Sequence, residues 1–249
     1  MSRYLIISDI HSNLEALESV LAASSKQKCD GVIVLGDLVG YGADPNAVVT
    51  RIRELKPKSV VRGNHDKVAS GLETAEDFNP MARAAAAWTQ QALSPETLEY
   101  VRAMPMGPLL VGDEMEICHG SPLDEDLYVV ADLDALRSIE EARLPLCLFG
   151  HTHVAMCASA DGNRRLEIAA PQGHPEFTIP LMDDTRYLIN PGSVGQPRDG
   201  DSRAAYAIAD IPNRVVTLYR VAYPIETAQK KILEAGLPPM LAYRLGMGK

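Results

Sequence analysis

The sequence predicts an α/β chain whose first half builds a parallel sheet and whose second half turns antiparallel. Three observations carry this reading. Short apolar runs alternate with helix-spaced apolar patterns as far as Arg62, the mark of strand–helix–strand units. Later apolar runs follow one another with turn residues between them, as antiparallel strands do. Several runs end directly in clusters of Asp, Asn, His and Gly, which puts polar side chains at the carboxyl ends of strands.

Taken in order, Tyr4–Ser8 reads as a buried strand. Ser12-Asn13-Leu14-Glu15 fits a capping box opening a helix, with Leu14, Leu17, Val20 and Leu21 at helical spacing. Gly31–Leu35 is a second strand, Pro45 opens a helix running to about Leu55, and Ser59–Arg62 is a third short strand. Residues 67–108 break this rhythm. Met81–Leu93 and a segment opening at Ser94-Pro95-Glu96 both read as helices, so this stretch is a helical insert within one domain spanning residues 1–249. Strands resume at Met115–Cys118 and Leu146–Phe149, with a helix near Asp132–Arg143 between them. Tyr187–Ile189, Ala204–Ile211 and Arg214–Tyr223 are further strands, the last two joined at Pro212-Asn213. A final helix over about Ile225–Ala235 stops at Gly236, with Pro238 beyond it.

Composition narrows the function. The chain is 46% hydrophobic and 23% charged, as ordinary globular proteins are, and carries a net charge of −9 without a basic stripe. Nucleic acid and anionic membranes are therefore unsuitable partners. Nowhere do about 18 apolar residues run together, so no membrane span is expected. The opening apolar run is too short for a signal peptide. Cys29, Cys118, Cys147 and Cys157 form no CxxC pair and have apolar neighbours, which predicts reduced thiols and a cytoplasmic protein.

The chemistry lies in five clusters: Asp9-Ile10-His11, Gly36-Asp37, Gly63-Asn64-His65-Asp66, His119-Gly120 and Gly150-His151-Thr152-His153. Strand ends in an α/β sheet share one edge, so side chains remote in sequence converge there. Carboxylates and neutral imidazoles ligate Mn²⁺, Fe and Zn²⁺. One carboxylate can bridge two cations, an Asn carbonyl adds a ligand without charge, and glycines permit close backbone approach. Each cluster alone is commonplace, since a lone His after a strand is usually structural and Gly-Asn-His-Asp could be a turn. Five in this order, each behind a predicted strand, are not.

This ordered set resembles the calcineurin-like metallophosphoesterase family, whose pattern runs D-x-H, GD, GNH(D/E), an isolated H and GH-x-H. The stretch Asn190-Pro191-Gly192-Ser193-Val194-Gly195-Gln196-Pro197-Arg198 is similar to small bacterial phosphodiesterase-like members. The resemblance implies a two-layered mixed β-sandwich flanked by helices, with two transition metal ions (Mn, Fe or Zn, Mn favoured) at one sheet edge. It places Asp9, His11 and His153 on one metal, Asn64, His119 and His151 on the other, and Asp37 between them. Thr152 is expected to point elsewhere. His65 becomes the group that protonates the leaving oxygen or steadies the phosphate, and a metal-bridging hydroxide attacks in line. Asp66 either orients His65 or caps the following turn.

Protein phosphatases of the superfamily carry GDxxDRG, whereas the matching stretch here is Gly36-Asp37-Leu38-Val39-Gly40-Tyr41-Gly42. The missing Asp and Arg argue against a protein phosphatase and for a small phosphodiester or nucleotide substrate. Arg198 is a candidate phosphate contact, with an ion pair to Asp199 or Asp201 as the plainer reading. Tyr41 either lines the pocket or packs. Two other functions compete: hydrolysis of dinucleoside polyphosphates of the diadenosine tetraphosphate type, and a non-catalytic metal-binding interaction module.

Overall fold

The computed structural model describes residues 2–249. Two six-stranded mixed sheets pack face to face, and helices cover both outer surfaces. The first sheet contains β1 (Arg3–Ile7), β2 (Gly31–Val34), β3 (Ser59–Val60), β9 (Glu176–Pro180), β11 (Ala204–Asp210) and β12 (Val215–Val221), in the order β3-β2-β1-β11-β12-β9. The second contains β4 (Leu109–Val111), β5 (Met115–Ile117), β6 (Leu146–Leu148), β7 (Met156–Asp161), β8 (Leu166–Ala169) and β10 (Thr185–Asn190), in the order β4-β5-β6-β10-β7-β8.

The period of two along β1 shows why the sandwich forms. Tyr4 and Ile6 point between the sheets, where they meet Ile33, Ile117, Leu148, Ile189, Ala207 and Leu218. Leu5 and Ile7 point the other way. They pack on α1 (Leu14–Ser24) and α2 (Pro45–Leu55) through Leu17, Val20, Val48 and Ile52, in a cluster shared with the carboxyl-terminal helices α7 (Ile225–Glu234) and α8 (Pro239–Met247). Phe149, Cys147 and Leu188 form the outer face of the second sheet under α6 (Asp132–Glu141).

Parallel pairing sets the site. β1, β2 and β3 are mutually parallel neighbours, and β6 lies parallel to both β5 and β10. Their carboxyl ends carry Asp9, Asp37, Asn64, His119 and His151, from one sheet and then the other. Inside the predicted insert run α4 (Pro80–Ala92) and α5 (Pro95–Ala103), preceded by the short α3 (Asn64–Ala69). Ala82, Ala85, Leu93, Val101 and Met104 enter the same core as α1 and α2, while Ala84 and Ala87 are exposed.

Several expectations need correction. The helix cap is Asn13, whose Oδ1 accepts from the Ala16 amide at 3.1 Å. Ser12 cannot begin the helix, because its backbone is tied to Leu38 and Asp44 and sits at φ 53°. Strands β4, β7, β8 and β9 have no counterpart in the sequence reading. β7 is built largely of small residues, whereas β8 and β9 are sheet edges with largely exposed side chains, so their apolar pattern is weak. The helix ending at Glu234 is not the last, since Pro239 starts α8. All four cysteines are free, and Cys118, Cys147 and Cys157 are buried. No helix among the described residues is long and apolar enough to cross a membrane.

Ile6 is fully buried between the sheets. Ile6→Ala is expected to lower unfolding stability by about 2–5 kcal/mol in urea titration. Leu233→Ala, on an exposed face of α7, should cost about 0.5 kcal/mol or less.

Candidate metal centre

Five of the seven predicted ligands occupy left-handed backbone. Asp9, His11, Asp37, His151 and His153 have φ between 48° and 66°. Such conformations cost roughly 1–3 kcal/mol at non-glycine positions, though Asp and His tolerate them better than most. The surrounding hydrogen bonds hold them there. Asp9 N donates to the Gly36 carbonyl, Ile10 N and His11 N both donate to the Asp37 carbonyl, and Gly195 N donates to the Asp9 carbonyl. Glycine matters most where chains nearly touch. A Cβ on Gly63 would collide with the Asp37 carboxylate, and one on Gly40 would come within 2.6 Å of His65 Nδ1.

The side chains converge as two groups with one member in common. Ligand atoms of Asp9, His11, Asp37 and His153 lie within 4.8 Å of one another, and so do those of Asp37, His119 and His151. Asp37 Oδ2 is 3.5 Å from His11 Nε2 and 3.4 Å from His119 Nε2, is buried, and accepts no hydrogen bond. Its other oxygen accepts from the His65 amide at 2.9 Å. Asn64 opens α3 with a buried Oδ1 that has no partner.

Each imidazole is fixed by a backbone carbonyl on one nitrogen and offers the other inward. His11 Nδ1 faces the Val39 carbonyl at 3.0 Å, His119 Nδ1 that of Leu35 at 2.7 Å, and His153 Nδ1 that of Gln196 at 2.6 Å. His151 is turned over, with Nε2 on the Asp126 carbonyl at 3.0 Å and Nδ1 inward. A carbonyl only accepts, so the outer nitrogen of each ring carries the proton. Burial holds His11 and His153 well below the usual imidazole range, so both are neutral. Their bare Nε2 atoms then face each other at 3.1 Å. Two lone pairs at that distance repel unless a cation sits between them. Together with the unpartnered Asp37 and Asn64 oxygens, this donor set fits transition metal ions.

The second group answers differently. Burial opposes a charge on His119, but Asp37 outweighs it and raises the ring to about 10. Burial also raises Asp9 to about 6, with the charge of His119 pulling it back. His151 is lowered to about 3, by burial and then by His119. The charge of Asp37 thus favours a proton on His119 that a bound metal would have to displace.

The sequence that builds this site matches a known family. The sequence pattern of the calcineurin-like phosphoesterase superfamily domain matches residues 3–214. The chain belongs to that superfamily. An uncharacterised protein of Methanocaldococcus jannaschii is 37% identical over 250 residues, covering 100% of this chain and 99% of its own. The crystal structure of a metallophosphoesterase from Sphaerobacter thermophilus is also 37% identical, with a TM-score of 0.85 and coverage of 100% and 99%. A hypothetical protein from Pyrococcus horikoshii OT3 shares the fold at 19% identity and a TM-score of 0.76, with the same coverage.

Other residues around this site find defined places. Asp66 does not contact the His65 ring. Its carboxylate accepts from the amides of Leu38, Val39 and Gly63 at 2.9, 3.2 and 3.0 Å, clamping the Asp37 loop to the start of α3. Thr152 turns away to Asn190, as expected. Asn190 also bonds the Gly150 carbonyl, and Ser193 Oγ the Asp9 carbonyl, so the Asn190–Arg198 stretch braces both ligand loops. Arg198 makes no ion pair among the described residues. Asp199 pairs with Arg220 and Asp201 with Arg203, which overturns the plainer reading of Arg198. Its guanidinium reaches Gln196 Oε1 at 3.1 Å and lies 5.7 Å from the Tyr41 ring centroid. Tyr41 is both packed and pocket-lining: it is buried, and its ring is 4.3 Å from that of His65.

The carbonyls that orient the rings, those of Leu35, Val39, Asp126 and Gln196, are invisible to a reading of side chains. Tyr128 was also missed. It covers His151 with ring centroids 3.7 Å apart, and only its place nine residues after His119 could have hinted at it.

Metal analysis should find two ions per chain, and Asp37→Ala should retain fewer than about one. Calorimetry in buffers of different ionisation enthalpy should show about one proton released on loading between pH 7 and 8, because His119 gives up the proton that Asp37 stabilises. Affinity should therefore fall as pH falls.

Proposed function

We propose that this protein is a metal-dependent phosphodiesterase acting on small phosphodiesters or nucleotides. The observation supporting this most strongly is the sharing of Asp37 between two donor groups, which suits a pair of cations rather than one. Metals held by Asp9, His11, Asp37 and His153 on one side, and by Asp37, Asn64, His119 and His151 on the other, would supply Lewis acidity and a water acidified toward neutral pH. Mn²⁺ is the first metal to test, since every donor is N or O and none is a thiolate.

The protein's own residues do the rest. Arg198, free of acidic partners, holds non-bridging phosphate oxygens. His65 is buried, its Nδ1 has no partner, and its ring lines the cleft beside Asn64 and His151. With Nδ1 set against Gly40, Nε2 is the edge available to a leaving oxygen. Burial lowers His65 to about 4, and the charge of Asp37 draws it partly back. An arriving phosphate adds negative charge beside the ring and raises its proton affinity, the condition under which imidazole acts as an acid. The Asp66 clamp keeps His65 and Asp37 in register. A small ester rather than nucleic acid is the substrate, in keeping with a net charge of −9. Four unpaired cysteines suit a cytoplasmic setting.

Purified protein loaded with Mn²⁺ should hydrolyse bis(p-nitrophenyl) phosphate, and chelator should abolish turnover. His65→Ala should lower kcat by about 10²–10⁴-fold while the chain keeps both metals. Full activity in metal-stripped protein would contradict the proposal.

A further inference from the structure

Beside the metal ligands opens a cleft of 240 Å³ whose walls differ in character. Asn64, His65 and His151 form its floor. Its walls come from the segment before α4, through Glu73, Asp77, Phe78 and Asn79, and from Asp126 and Tyr128, with Glu73 and Asp126 side by side. Two aromatic rings flank the floor, with Phe78 at 4.6 Å from His65 and Tyr128 at 3.7 Å from His151 between centroids.

The ionic character is lopsided. Lys67 Nζ, itself buried, bonds Glu73 at 3.0 Å, Glu125 at 3.2 Å and Asp126 at 2.5 Å, and these four groups hold one another in place. Asp77 has no ion pair or side-chain hydrogen bond among the described residues and lies exposed on the rim. Asn79 spends its Oδ1 on the amides of Met81 and Ala82, which leaves its Nδ2 as a donor. Arg198 is not part of this wall. The cleft thus offers flat apolar faces, a carboxylate acceptor and an amide donor. It offers no unpaired cation to a second phosphate.

We infer that this cleft seats the leaving group of the substrate, and that the leaving group is an uncharged nucleoside whose base carries an exocyclic amino group. The inference rests on the phosphodiesterase reading above, because His65 on the cleft floor is the group that meets the leaving oxygen. The base stacks on Phe78 and Tyr128, as bases do on aromatic platforms. Its amino group donates to Asp77, and a ring nitrogen accepts from Asn79 Nδ2. In the hydrolysis, the bond between phosphorus and the nucleoside oxygen breaks, that oxygen takes a proton from His65, and water supplies the hydroxyl that stays on phosphorus. A polyphosphate leaving group would bring several negative charges against Glu73, Asp77 and Asp126. The same wall therefore disfavours dinucleoside polyphosphates.

The test uses the Mn²⁺-loaded full chain. Adenosine should inhibit bis(p-nitrophenyl) phosphate hydrolysis competitively, roughly tenfold more tightly than inosine, which has a carbonyl in place of the amino group. Asp77→Asn should collapse that ratio toward unity, and Phe78→Ala should weaken both nucleosides. Adenosine 5′-(methyl phosphate) should be cleaved to adenosine and methyl phosphate with a higher kcat/KM than diadenosine tetraphosphate. Saturation-transfer NMR reads adenosine and inosine binding without catalysis, so it decides the cleft assignment even if no ester is hydrolysed. Hydrolysis of the aryl diester with adenosine and inosine indistinguishable would overturn this inference alone. Diadenosine tetraphosphate as the better substrate would overturn it as well. Absence of all hydrolysis, with adenosine still preferred in the NMR experiment, would overturn the phosphodiesterase reading and leave the cleft assigned.

Discussion

The carboxylate of Asp37 is the constraint around which the site is organised. One of its oxygens lies between His11 and His119, and the other holds the amide of His65. It thereby ties together both donor groups and the residue proposed to meet the leaving oxygen. Burying such a group is costly unless cations surround it. Burial alone would push its proton affinity up, yet the charges of His119 and His65 hold it well below the usual carboxylate range. The local field is therefore built for positive charge, in a protein whose overall charge is −9.

That field has to be maintained by backbone rather than by the ligands themselves. Five of the predicted ligands sit in left-handed conformations, and the loops bearing them are stitched together by amide–carbonyl bonds. Val194 N reaches the Ser8 carbonyl, Gly150 N that of His119, and Leu35 N that of Ile7. Asp66, Asn190 and Ser193 add side-chain clamps from below. The sandwich core makes this affordable: Ile6, Ile33, Leu148 and Ile189 fix the two sheets against each other, so the strand ends cannot drift apart.

How much of this was legible follows from what each feature is made of. The ligands were readable because their chemistry lies in side chains of rare types placed after apolar runs. The six predicted Asp and His ligands converge in two groups that share Asp37, and Asn64 lines the adjoining cleft with His151. The parallel strands were readable because they are buried on both faces and so lack polar interruptions, as in Leu5-Ile6-Ile7. Edge strands β8 and β9 were not, since most of their residues face solvent and Pro180 ends one of them. Asp66 could be weighed but not assigned, because both of its readings use the same residue and only the backbone amides of Leu38 and Val39 decide between them. The plainer reading of Arg198, an ion pair with a neighbouring Asp, failed for a related reason. Asp199 and Asp201 adjoin it in sequence, yet they turn to Arg220 and Arg203.

The central claim is that two metal ions share the Asp37 carboxylate. Electron paramagnetic resonance of the Mn²⁺-saturated protein tests it directly, because ions about 3.5–4 Å apart couple their spins. The account predicts a broad, exchange-coupled signal whose intensity rises with temperature. A sharp six-line spectrum of isolated Mn²⁺ at full loading would contradict it.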